Sequence, residues 1–331
     1  MQFVNEQITP EAQALHRESL VIDTHADSIQ CVLEGRRLGV RSDQGQFDLP
    51  RALEGGISAE FTAIYLRTPR AGAVHQAVQF VDALHQEVEA FPNMALQATR
   101  ADDILRAKQE GKVALVLTME GAEGLEGDLR SLRVFHRLGL RSLGLTWNWR
   151  NEAADGVDEI RTGGGLTQFG VSLVKECNHL GILLDMAHLS PAGVRDVLEL
   201  SEAPVIVTHA NCAALCPHPR NLTDTQLEAV ASKGGVVGVT AVPRFLGEEE
   251  SRCPLSLLLD HIDHMVKVVG EDSVGMGTDF DGVGENRVVG LEDASKMPSL
   301  TAGLLQRGYS PERIRKILGG NFLRVFRQVV G

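Results

Sequence analysis

Eight short apolar runs alternating with longer amphipathic stretches predict an α/β fold, a (β/α)8 barrel of the metallo-hydrolase type. Three observations carry that expectation. The runs are near-continuously apolar and rich in β-branched residues, as parallel strands covered on both faces are. There are eight of them. Their polar residues gather at their carboxyl ends, and these ends converge on one face of a barrel.

In order, the runs are "LVIDTHAD" (20–27), "ISAEFTAIYL" (57–66), "VALVLTME" (113–120), "SLGLTWN" (142–148), "GILLDMAH" (181–188), "PVIVTHA" (204–210), "GGVVGVTAV" (234–242) and "SVGMGTDFDG" (273–282). Helical patterns such as "LRSLRVFHRLGL" and "SPAGVRDVLELS" lie between them. The second of these begins with Ser190 as an N-cap and Pro191 at the first helical position. A doubly wound open sheet is the alternative, but it would show a glycine-rich phosphate turn after its first strand. The glycine-rich "TGGGLTQFG" (162–170) follows no strand and reads as a loop into a helix. No linker or low-complexity segment divides the 331 residues, so one catalytic domain over 1–331 is expected.

Composition narrows the function. With 32 basic against 44 acidic residues the formal net charge is −12, which argues against nucleic acid or an anionic membrane as partner. The cysteines, Cys31, Cys177, Cys212, Cys216 and Cys253, are odd in number and scattered, so no disulfide framework is implied. The first residues show neither a basic nor an apolar leader region, and no run of about 18 apolar residues occurs. A cytoplasmic protein is the expectation.

The chemistry gathers at the strand ends. In "VIDTHADS" (21–28) His25 and Asp27 stand two residues apart and face the same side of a strand. Glu120 ends the third run, His188 the fifth and His209 the sixth, and Asp279 and Asp281 lie in the eighth. A lone strand-end histidine is more often a hydrogen-bonded structural residue than a ligand. Five or six such residues in register point to a divalent metal of the zinc type. A shared carboxylate would bridge two ions, with His25, Asp27 and Glu120 on one and Glu120, His188 and His209 on the other. A water between two such ions would be acidified toward a pKa of about 7.

Other histidines and cysteines read as structural. "HANCAALCPH" (209–218) resembles a zinc knuckle but has the wrong spacing. Cys212 and Cys216 are expected as small buried apolar groups. His261 and His264 in "HIDHM", and His75, His85, His136 and His179, fall in helical patterns.

The set "VIDTHAD", "VALVLTMEGAEGL", "LLDMAHLS", "PVIVTHAN", "PHPRN", "GTDFDGV" and "GNFLRVF" resembles the renal (membrane) dipeptidase family of binuclear zinc peptidases, over about residues 15 to 330. The resemblance implies a distorted (β/α)8 barrel, a homodimer, two Zn²⁺ bridged by Glu120, and hydrolysis of dipeptides, often with a D-residue at the C-terminal side. It makes His25, Asp27, Glu120, His188 and His209 metal ligands. It gives Arg220 the substrate's free carboxylate, and Asp279 the proton of the attacking water. The absence of a leader is similar to the bacterial cytoplasmic branch. One departure stands out: Trp147 occupies the place of a family histidine that contacts the substrate carbonyl. Trp147 can donate an indole N–H or shape the pocket wall, and Asn148 is a second candidate donor. Rival readings are a related metal hydrolase acting on another amide, such as an N-acyl amino acid or a β-lactam, and a non-catalytic binding descendant.

Overall fold

Nine parallel strands make one sheet: β1 Ile22–Ala26, β2 Ala59–Tyr65, β3 Ala95–Gln97, β4 Val113–Glu120, β5 Leu140–Gly144, β6 Leu183–Asp185, β7 Ile206–Val207, β8 Val236–Val239 and β9 Val274–Met276. They run in the order β2-β1-β9-β8-β7-β6-β5-β4-β3, and β2 also pairs with β4. That pairing, from Ala59 with Ala114 to Tyr65 with Glu120, closes eight strands into a (β/α)8 barrel. The computed structural model describes residues 8–66, 72–247 and 253–331. Residues 1–7, on which the expectation about a leader falls, lie outside the described residues.

All eight expected strands occur, most of them shorter than their apolar runs. β3 was not expected. Its three residues pair with Val113–Leu115 on the β4 edge, while β5 takes the same edge from Leu117 onward. Three residues are too few to show alternation. The helices start as the sequence indicates. Ser190 Oγ accepts from Gly193 N–H at 3.1 Å and caps Pro191–Leu200. Thr167 caps Gln168–Leu180, so the glycines of 163–165 are indeed a loop into a helix. Among the described residues no helix is long and apolar enough to cross a membrane.

Register decides which side chains point into the barrel. Glu120 shares its face of β4 with Thr118, Val116 and Ala114. Pairing carries that face to Phe61 and Ala59 on β2 and to Ile22 on β1. In β1 the register then slips: Asp23 pairs with Glu60, but Ala26 pairs with Thr62. Three steps along β1 oppose two along β2, which is a β-bulge. Without the extra residue His25 would pair with Thr62 and face the surrounding helices. With it, His25 joins the Glu120 face.

Below this level the barrel is apolar. Ile22, Phe61, Val116, Leu183, Ile206 and Val236 form one cluster with Phe322, Val325 and Phe326. The last three repeat at helical spacing along Asn321–Val329 and turn one apolar face to the strands. Phe61 and Phe326 meet edge-on at 5.7 Å. Each such fully buried side chain contributes roughly 1.5–3 kcal/mol, so the floor beneath the polar rim is rigid.

Candidate metal centre

His25 lies in β1, Asp27 directly follows it, and Glu120 is the last residue of β4. His188, His209 and Asp279 sit two or three residues beyond β6, β7 and β9. They are therefore rim-loop residues rather than strand ends. His188 and Asp279 hold left-handed backbone, with φ of 65° and 66°. Non-glycine residues rarely adopt that region, and it recurs at functional loops.

These side chains converge. Glu120 Oε1 lies 2.7 Å from His188 Nε2, 3.5 Å from His209 Nε2 and 3.7 Å from His25 Nε2. His25 Nε2 is in turn 3.9 Å from Asp27 Oδ1 and 3.9 Å from Asp279 Oδ1. Ligand atoms thus fall into two overlapping groups, His25–Glu120–His209 and His25–Asp27–Asp279. His188 joins the first through Glu120. The sequence had not placed Asp279 in a ligand group, and the structure sets it beside Asp27 and His25.

The histidines are held in one tautomer from behind. Asn148 Oδ1 can only accept, so His188 Nδ1 carries the proton of their 2.6 Å hydrogen bond. Thr208 Oγ1 donates to Asp185 Oδ2 at 2.6 Å and so accepts from His209 Nδ1 at 2.9 Å. Both Nε2 atoms are left with lone pairs, which face each other at 2.9 Å. His25 Nε2 is buried with no hydrogen-bond partner among the described residues. Two facing lone pairs, a carboxylate oxygen and an orphaned imidazole nitrogen need a shared proton or a cation among them. Two or three imidazoles with hard carboxylate oxygens suit a borderline divalent ion. The residues fit a metal.

Electrostatics agrees. Burial, with the Arg220 charge, pushes His25 down to about 3. Burial also takes His188 and His209 well below the usual histidine range. The imidazoles are therefore neutral, as ligands must be. Burial and the charge of Asp27 raise Glu120 and Asp279 well above the usual carboxylate range. A bound cation reverses that penalty.

Around this cluster the remaining candidates separate. Arg220 is 5% exposed; its Nη2 donates to His209 O at 3.3 Å, and its Nε has no hydrogen-bond partner among the described residues. Asp281 turns away, held by Arg36 and by the Gln46 amide. Trp147 stacks on His188 with ring centres 5.6 Å apart and meets Tyr65 and Trp149. Asn148, expected as a donor to substrate, has its carboxamide oxygen on His188, which leaves its Nδ2 as the donor group.

The decoys are structural. Cys212 and Cys216 are buried. The Cys212 amide donates to His261 Nδ1 at 3.0 Å, and His264 pairs with Asp224. Sequence reasoning missed Asp185 and Thr208. A carboxylate inside the apolar run "LLDMAH" was the available signal, because such a group must find a partner.

A sequence model of the membrane dipeptidase family matches residues 9–330. The chain belongs to the membrane dipeptidase family. Its class is accordingly that of metal-dependent dipeptidases. It is 34% identical over 296 residues to dipeptidase tcpJ of Claviceps purpurea, covering 86% of this chain and 69% of that one. Among solved structures, it superposes on a metallo peptidase of Rhodobacter sphaeroides liganded with a phosphinate mimic of L-Ala-D-Ala. That match has a TM-score of 0.87 at 31% identity and covers 94% of this chain and all of the other. A dipeptidase described as a metallo peptidase matches with a TM-score of 0.88 at 33% identity, covering 95% and 99%. A metal cofactor goes with the dipeptidase family, and the His, Glu and Asp groups of the rim are candidates to hold it.

Proposed function

We propose that the protein hydrolyses free dipeptides, including those with a C-terminal D-residue, at a pair of zinc ions bridged by Glu120. The observation that carries the reading is the position of Glu120 Oε1, within 3.7 Å of three imidazole Nε2 atoms. His25 and Asp27 would hold one ion with Glu120, and His188 and His209 the other. When bound, such ions supply a Lewis acid for the carbonyl and an acidified water at neutral pH.

The chain does the rest. Asp279, 3.9 Å from His25 Nε2, accepts the water's proton and returns it to the leaving amine. Arg220 holds the free carboxylate in a planar fork, and its fixed distance from the cluster measures substrate length. Trp147 lines the wall over His188. Asn148 and Thr208 keep the two imidazoles aimed. The D-residue preference is supported by the L-Ala-D-Ala mimic held by the Rhodobacter structure. A homodimer in the cytoplasm completes the reading.

The test is a metal-replete assay over L,L- and L,D-dipeptides, their C-terminal amides, tripeptides and N-acyl amino acids. Free dipeptides should be cleaved, with amides and tripeptides poor. Equal turnover of amidated and free dipeptides would take the carboxylate from Arg220. Preference for N-acyl amino acids would replace the dipeptide with another amide.

A further inference from the structure

A second arginine stands at the rim, outside the residues already assigned. Arg244 lies on the short helix Pro243–Leu246, which follows β8 on the face that carries the metal centre. It is exposed and makes no ion pair among the described residues. Its guanidinium carbon sits 5.0 Å from the centre of the Phe245 ring, and that of Arg220 sits 5.6 Å from the same centre. One aromatic ring thus supports both cations.

The ring beneath the two cations is held in place. Asn221 Nδ2 donates to Cys216 O and to Phe245 O, each at 2.8 Å, which ties the Arg220 loop to the Phe245 turn. His218 packs on Phe245 at 4.4 Å, and its Nδ1 accepts from the Arg220 amide at 3.1 Å. Burial dominates the shifts of His188, Arg220 and Asp279, yet the Arg244 charge is felt at all three. A cation with no carboxylate partner among the described residues, resting on the same ring as a carboxylate-binding arginine, is an open seat for a second carboxylate.

We propose that Arg244 receives an acidic side chain on the C-terminal residue of the dipeptide, so that the enzyme favours substrates ending in Glu or Asp. The proposal rests on Arg220 taking the α-carboxylate. The two carboxylates of a C-terminal Glu or Asp then fall on two cations carried by one ring. The contact is solvent-exposed, so its effect is moderate and sensitive to salt.

The test compares kcat/KM of the zinc-loaded protein for Ala-Glu and Ala-Gln, which differ by one charge. Ala-Glu should be favoured about threefold to fivefold, mainly through KM, and the preference should shrink in roughly 0.5 M salt. Arg244→Gln should bring the ratio near unity, and Arg244→Lys should restore part of it. A wild-type ratio at or below one, or a ratio unchanged in Arg244→Gln, overturns the proposal while leaving the dipeptidase reading intact. No turnover of either dipeptide overturns both.

Discussion

Asn148 Oδ1 accepts the His188 Nδ1 proton at 2.6 Å across forty residues of sequence. One hydrogen bond therefore fixes which imidazole nitrogen faces Glu120. Outer partners of this kind typically govern metal affinity by 10–100-fold. Asn148→Leu should weaken zinc binding by about that factor, read by chelator competition. Asn148→Asp, which keeps an acceptor, should recover most of it. Unchanged affinity in the leucine variant would leave the side chain with no part in aiming His188.

Metal uptake should be coupled to protons in a definite direction. Burial and neighbouring carboxylates raise Glu120 well above its ordinary range when no cation is present. An ion must displace that proton, so affinity falls as pH falls. Protein purified without chelator should carry close to two ions by elemental analysis. Calorimetry in buffers of different ionisation enthalpy should show protons released on zinc binding near pH 7. A stoichiometry fixed at one, or no proton release, contradicts the bridging role. Chelation should also lower the melting temperature, since an ion bound only by the folded state stabilises it by mass action.

Glu60 makes a separate stability prediction. It is 1% exposed, and neither carboxylate oxygen has a hydrogen-bond partner among the described residues. Burial and the charges of Asp23 and Asp281 raise it well above 4.5. The folded state therefore keeps a proton that the unfolded chain releases above that value. Stability is highest below it and declines as pH rises toward the folded-state value, by up to about 1.4 kcal/mol per pH unit. Glu60→Gln should remove this decline, so its advantage in urea unfolding grows with pH. Parallel pH curves for the two proteins would show that Glu60 is not held protonated.

The rim residues were legible because catalytic barrels place polar groups where apolar runs stop. Glu120, His25 and His209 could be read from that rule alone. The bulge between Asp23 and Ala26 could not, since alternation gives the faces of one strand but not its register against the next. The pairing of His25 with Glu120 depends on that slip. Asn148 was placed near the site, but its bond to His188 was not legible, because loop residues carry no periodicity. Residue pattern alone left Asp279 and Asp281 open; the family resemblance chose Asp279, and the fold sets the two side chains apart.

That separation gives the last prediction. Both aspartates hold left-handed backbone, with φ of 66° and 68°. Asparagine tolerates this region better than most residues, so Asp→Asn at either position changes charge without adding backbone strain. Asp279 faces the His25 cluster at 3.9 Å, whereas the Asp281 side chain is fully buried against Arg36 and the Gln46 amide. A proton shuttle acts in the transition state rather than in ground-state binding. Asp279→Asn should keep metal and much of the substrate affinity while cutting kcat by on the order of 10²–10⁴. Asp281→Asn leaves Arg36 facing a neutral amide and should cost about 1–3 kcal/mol of stability with kcat largely kept. The two variants should fail in opposite assays, turnover for the first and thermal unfolding for the second. A metal-loaded Asp279→Asn with wild-type kcat would remove this carboxylate from the proton path, since no isosteric amide can accept and return the proton.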